Sequence, residues 1–125
     1  MKKPTDSELA ILHALWDHGP ATVAEVIGTV GGKKPMGYTT ALKFLQIMHE
    51  KGLVKRDESR RQHVYRAALP PGRMRKALVG DLIDRAFGGS AAQMVLHALG
   101  ARKVGEAEIA EIREMLDAMA KGGEE

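Results

Sequence analysis

Four residues, Thr39, Thr40, Lys43 and Gln46, combine types and spacing suited to contact with another molecule. On a helix of 3.6 residues per turn they fall on one side, as two hydroxyls, an amide and a cation. Such a mixture pairs with base edges and phosphates in a DNA major groove. A second group, Arg60 and Arg61, is a short cationic run of the kind that meets backbone phosphates or a narrow minor groove. Water alone also selects polar helix faces and charged turns, so the assignment depends on the elements that carry these residues.

The first four lie on a helix expected over about 37–51. Ala41, Leu45 and Met48 recur along it at i, i+4, i+7 as a core-facing stripe, and Gly52 stops it. Two helices precede it. Thr5-Asp6-Ser7-Glu8 is a capping box that opens a helix with Leu9, Ile11, Leu12, Leu15 and Trp16 inward, ended by Gly19-Pro20. A second box, Thr22-Val23-Ala24-Glu25, opens a short helix to about Val30, with Val23, Val26, Ile27 and Val30 inward; residues 31–35 then read as a turn. This is a helix-turn-helix pattern. Past Gly52 the period changes. Residues 53–58 and 62–67, carrying Val and Tyr, predict a β-hairpin with Ser59-Arg60-Arg61 at its tip. Helix-turn-helix followed by hairpin is a winged helix, which places the two arginines on the wing.

Pro70-Pro71 marks an expected domain junction, giving domains 1–70 and 71–125. Leu78, Leu82 and Phe87, with Met74, Ile83 and Ala86, stripe a helix that ends at Gly88-Gly89. Ser90-Ala91-Ala92-Gln93 is a third capping box, opening a helix to about Leu99. A last helix from Glu106 to about Ala120 carries Ile109, Ile112, Leu116 and Met119 at 3-4-3 spacing. Three amphipathic helices of this size do not readily close a core by themselves. Pairing with a second copy would cover them and would present two reading helices to adjacent half-sites; folding back on the first domain is the alternative. The expected fold class is therefore mainly α with a small β-hairpin wing, an N-terminal winged helix-turn-helix domain joined to a three-helix dimerisation region.

Composition narrows the function classes. The chain of 125 residues carries a formal net charge of +3, distributed unevenly. Residues 1–70 hold 11 Lys and Arg against 7 Asp and Glu, and residues 71–125 hold 8 against 9. Positive charge gathered on the first segment suits a polyanion. Cysteine is absent, which excludes disulfides, thiolate metal sites and cysteine nucleophiles. No Gly-rich phosphate loop, nucleophile elbow or HExxH motif occurs, so no enzyme, cofactor or metal is expected. His13 and His18 miss the i, i+4 spacing for shared ligation, and His49, His63 and His97 are scattered; a metal site assembled across a dimer stays open. Polar Pro4-Thr5-Asp6 follows Met1-Lys2-Lys3 where a signal peptide would be apolar, and no apolar run reaches the length of a membrane span. A soluble cytoplasmic protein is expected. The rival to DNA binding is a winged helix used as a protein–protein adaptor, which would not need a basic reading helix and a basic wing together.

With these residues in place, the chain resembles the BlaI/MecI family of winged-helix repressors (penicillinase repressors). The resemblance is carried by Pro4-Thr5-Asp6-Ser7-Glu8-Leu9, Leu15-Trp16, Gly19-Pro20-Ala21-Thr22-Val23, Tyr38-Thr39-Thr40, Glu50-Lys51-Gly52-Leu53-Val54, His63-Val64-Tyr65-Arg66 and Phe87-Gly88-Gly89-Ser90. It implies a homodimeric repressor on palindromic operators with half-sites like TACA/TGTA. It also implies DNA contacts from Thr39, Thr40 and Lys43, and from Arg60 and Arg61 on the wing. Tyr38 either lies against the sugar-phosphate backbone or packs at the helix start. The sequence departs from the family in three places. Ile47 stands where relatives often carry arginine; its apolar side chain either touches a thymine methyl or simply loses a phosphate contact. The Asn-Phe bond cut in some members, on a signal from a membrane sensor, falls at His97-Ala98. The cysteine motif of copper-responsive relatives is missing. The target genes, the inducing signal and any sensor partner stay open.

Overall fold

The computed structural model describes residues 2–30 and 36–123. The turn expected over residues 31–35 lies outside them. Six helices and one hairpin follow in the order α1 Asp6–His18, α2 Val23–Thr29, α3 Tyr38–Lys51, β1 Val54–Asp57, β2 Val64–Ala67, α4 Pro71–Ala86, α5 Ala91–Ala101 and α6 Glu106–Gly123. The mainly helical fold with a two-stranded wing is as the sequence predicts.

Local hydrogen bonding explains where the first helices begin. Thr5 N donates to Glu8 Oε1 at 2.8 Å and Glu8 N donates to Thr5 Oγ1 at 3.3 Å. The Thr22–Glu25 pair repeats this arrangement at 3.0 and 3.3 Å. Each box satisfies two of the donors that a helix start leaves unpaired. At Ser90 the structure shows one half of the expected box, Gln93 N donating to Ser90 Oγ at 3.1 Å. α3 ends at Gly52 in the left-handed conformation (φ 81°), with Gly52 N donating to His49 O and Leu53 N to Met48 O. That pair of bonds closes the last turn as a Schellman motif.

The chain divides into two compact units, Met1–Val79 and Gly80–Glu125. The first is a winged helix around one core. Ile11, Leu12 and Leu15 of α1, Val23 and Val26 of α2, and Ala41, Leu45 and Met48 of α3 are buried together with Leu53, Val54 and Tyr65. The strands pair antiparallel with Val54 opposite Ala67, Lys55 opposite Arg66, Arg56 opposite Tyr65 and Asp57 opposite Val64. Ala21, between α1 and α2, adds a third, single-residue rung to this sheet. Its N–H donates to Tyr65 O at 2.9 Å, and Tyr65 N donates to Ala21 O at 2.8 Å. Trp16 Nε1 donates to Leu69 O at 2.9 Å, tying α1 to the segment that leaves the wing. The division between units falls inside α4 rather than at Pro70-Pro71. Met74 is fully buried in the winged-helix core and Leu78 packs against it, so the first turns of α4 belong with the first unit.

In the second unit, α5 and α6 bury no residue over positions 91–122. Leu82, Leu96, Leu99, Ile109, Met115, Leu116 and Met119 are all exposed. Phe87 is half-buried, its ring 5.4 Å from that of His97, which also bonds the Gln93 carbonyl through Nδ1 at 2.8 Å.

Candidate nucleic-acid interface

α3 is held from behind. Ala41, Leu45 and Met48 are each fully buried, so the helix cannot roll without opening the core, and its remaining arc is fixed in direction. A further tie joins its last turn to α1. Lys51 Nζ lies 2.7 Å from Glu8 Oε1, and the Glu8 side chain is almost wholly enclosed. The same carboxylate completes the α1 capping box. Burial pushes the Glu8 carboxyl up, but the bond from Lys51, the Thr5 N–H and the lysine charge together hold it below the ordinary carboxylate value.

Around the exposed arc, the residues fall into three strips. Thr39, Lys43 and Gln46 form the outward ridge, and all three are exposed. On one flank Thr39, Thr40, Lys43, Phe44 and Ile47 line a shallow notch, in which Phe44 and Ile47 are half-buried. On the other flank Tyr38 and Leu42 face the wing across a recess of about 160 Å³, completed by Thr22, Val23, Ala24, Arg61, Gln62, His63 and Tyr65. Tyr38 is 55% exposed at the start of α3, at the mouth of this recess and outside the core. The structure thus brings Tyr38 and Arg61 together at the recess, and Thr39, Thr40, Lys43 and Ile47 together at the notch.

The wing loop spans residues 58–63 between the two strands and carries Arg60 and Arg61, both exposed. Its entry is locked by Ser59 N donating to Asp57 Oδ1 at 2.9 Å, an Asx turn of the kind that Asp favours. The Asp57 carboxyl is held below its usual value, first by the Ser59 bonds and then by the nearby Arg60 and His63 charges. Arg56 is committed differently. Its Nε donates to Glu58 Oε1 at 2.7 Å, and its guanidinium also bonds the Tyr65 hydroxyl. Of the two wing-tip arginines, Arg61 reaches the recess beside α3, whereas Arg60 lies toward Asp57.

Three features escape the linear reading. Phe44 is both a core neighbour and a wall of the notch; its apolar character points inward by pattern, and only the packed helix shows its second face. His63 joins Arg61 in the recess through the hairpin turn. Lys55 and Arg66 stand opposite each other across the strands, both exposed. Like charges so paired cost a few tenths of a kcal/mol, up to about 1, a cost that a polyanion would offset. The register that makes them neighbours is not visible in either strand alone.

Among the described residues no group of three or more His, Asp or Glu is placed to hold a metal ion, and no helix is long and apolar enough to cross a membrane. A family model described as Penicillinase repressor matches residues 4–118. The chain belongs to this family. Its members are transcriptional repressors rather than enzymes. Among curated protein sequences none matches the chain. A MarR family protein from Bacillus stearothermophilus shares the fold at a TM-score of 0.51 and 17% identity, over 99% of this chain and 78% of that one. The monomeric form of Bacillus licheniformis BlaI, solved with the blaP half-operator, aligns at a TM-score of 0.48 with 21% identity, over 57% of this chain and 87% of that one. The homodimeric winged helix-turn-helix domain Mb0332 of Mycobacterium bovis aligns at 0.47 with 27% identity, over 66% and 71%.

Proposed function

We propose that the chain is a sequence-specific repressor that binds a palindromic operator as a homodimer in the cytoplasm. α3 enters the major groove, with Thr39, Thr40, Lys43 and Ile47 at base edges and Tyr38 against the backbone. Arg60 and Arg61 of the wing meet phosphates or the adjacent minor groove. The observation that carries this reading is the arc of α3 itself. A helix clamped by three buried side chains presents hydroxyl, amide, cationic and apolar groups together, beside a wing whose arginines and cross-strand cations are exposed. The monomeric form of BlaI was itself solved in complex with the blaP half-operator.

The homodimer rests on the second unit. Leu82, Phe87, Ile109, Ile112, Leu116 and Met119 form apolar stripes that this unit does not itself bury, whereas Leu78 already packs on the winged-helix core. A second copy is the occupant that a symmetric operator calls for, and Mb0332 is a homodimer.

Selection of bound sites from random duplex DNA tests the proposal directly. The expected product is a palindrome whose half-sites lie about one helical turn apart. Lys43→Ala is expected to relax base preference, while Arg61→Ala weakens all sequences alike and lowers the salt slope by about 0.9. Recovery of no enriched sequence would overturn the reading.

A further inference from the structure

We propose that the notch on α3 is a methyl-reading site, in which Ile47, Phe44 and the threonine methyl groups receive the C5-methyl of a thymine in the operator. The inference rests on the major-groove placement of α3 and names what that helix reads there. The outward ridge of the arc, Thr39, Lys43 and Gln46, is polar or charged. The notch beside it differs, because half-buried Phe44 and Ile47 give it an apolar floor. Neither is available to be buried more deeply, since the inward arc is already filled by Ala41, Leu45 and Met48. Lys43 forms the rim of the same notch, which sets a phosphate- or guanine-seeking cation beside the apolar floor. That combination fits an apolar group carried by a polyanion.

Within duplex DNA only thymine offers such a group in the major groove; the other base edges present donors and acceptors. A threonine whose hydroxyl points to a phosphate or base leaves its methyl for the notch, so Thr39 and Thr40 serve both readings. Ile47 is the residue on which the selectivity turns. It is the branched aliphatic side chain of the notch, half-buried there beside Lys43.

The first arm of the test leaves the protein unchanged. The full-length chain is titrated with its selected operator and with duplexes in which each thymine in turn is replaced by deoxyuridine, which removes only the methyl group. A loss of roughly fourfold per half-site is expected at one or two positions, the size set by burying one methyl, with other positions unchanged. In Ile47→Ala the thymine and deoxyuridine duplexes should bind alike, with the unfolding midpoint followed to show that the domain is intact. Ile47→Val, which keeps a branched side chain, should retain most of the discrimination. If the selected operator binds equally well with deoxyuridine throughout, the inference is overturned while operator binding stands. Full discrimination retained by Ile47→Ala would overturn it too, because the methyl is then read elsewhere. If no operator is selected at all, the proposed function itself has failed first.

Discussion

Replacing Lys51 by methionine removes the cation from a carboxylate that the fold has enclosed. Glu8 has 2% of its side-chain surface exposed and Lys51 has 22%, so water reaches the lysine and scarcely reaches the acid. Removing one partner of a fully buried pair costs about 3–5 kcal/mol, and a charged hydrogen bond at a wetter site about 1.5–3. The exposure of Lys51 places the expected loss near 2–3 kcal/mol, on the scale of a charged hydrogen bond. Glu8→Gln is milder, about 1 kcal/mol, because glutamine can still accept the Thr5 N–H in a capping box and frees Lys51 to solvent. Urea unfolding followed by fluorescence of the single tryptophan, Trp16, reports on the winged-helix unit. At an m-value of about 1–3 kcal/mol/M, Lys51→Met should lower the midpoint by roughly 0.7–3 M at pH 7. The pair also has a pH signature. Because the folded Glu8 pKa lies below its ordinary 4.5, its stabilisation is complete above that value and is lost as pH falls through the folded pKa. The gap between wild type and Glu8→Gln should therefore close on acidification. A Lys51→Met midpoint within about 0.3 M of wild type at pH 7, on the same m-value scale, would refute the view that this pair anchors α3. So would a gap that stays constant with pH.

Gly52→Ala places a side chain at φ 81° where nothing lies within 4 Å of the added Cβ. The loss is expected to be backbone strain alone, about 1–2 kcal/mol by urea unfolding. Trp16→Phe leaves the Leu69 carbonyl without its indole donor and should cost about 1–2 kcal/mol, read by thermal unfolding followed by circular dichroism. Leu116→Asp puts a charge on the exposed stripe of α6; sedimentation equilibrium should then show a monomer with an unchanged Trp16 unfolding transition. A persistent dimer would remove that stripe from the interface.

What was legible in the chain was local. The Thr5 and Thr22 boxes join residues three apart, so their bonds are implied by spacing and appear as expected. The Ala41, Leu45 and Met48 stripe is legible for the same reason, one helix period deciding all three. Gly52 was legible as a stop because left-handed backbone favours glycine. The exposed threonines and Lys43 follow from the complement of that stripe.

The remainder depended on contacts between residues far apart. Nothing near Ala21 signals a strand, since one rung has no period, and its bonds form only when Tyr65 arrives beside it. Leu78 belongs to an apolar stripe that suits a dimer face equally well, and only its packing on the winged-helix core separates it from Leu82. Glu8 reads as a capping residue, and its second role requires Lys51 to be brought across from the far end of α3. The sequence by itself determined the elements, their inward faces and the chemical groups left outside, because hydrophobic period and capping act over a few residues. Only the tertiary structure decided which of those groups share a surface. Arg61 came to Tyr38, and Phe44 came to stand with Ile47 and Lys43, because burial of a common core sets the distances between elements and no local spacing encodes them.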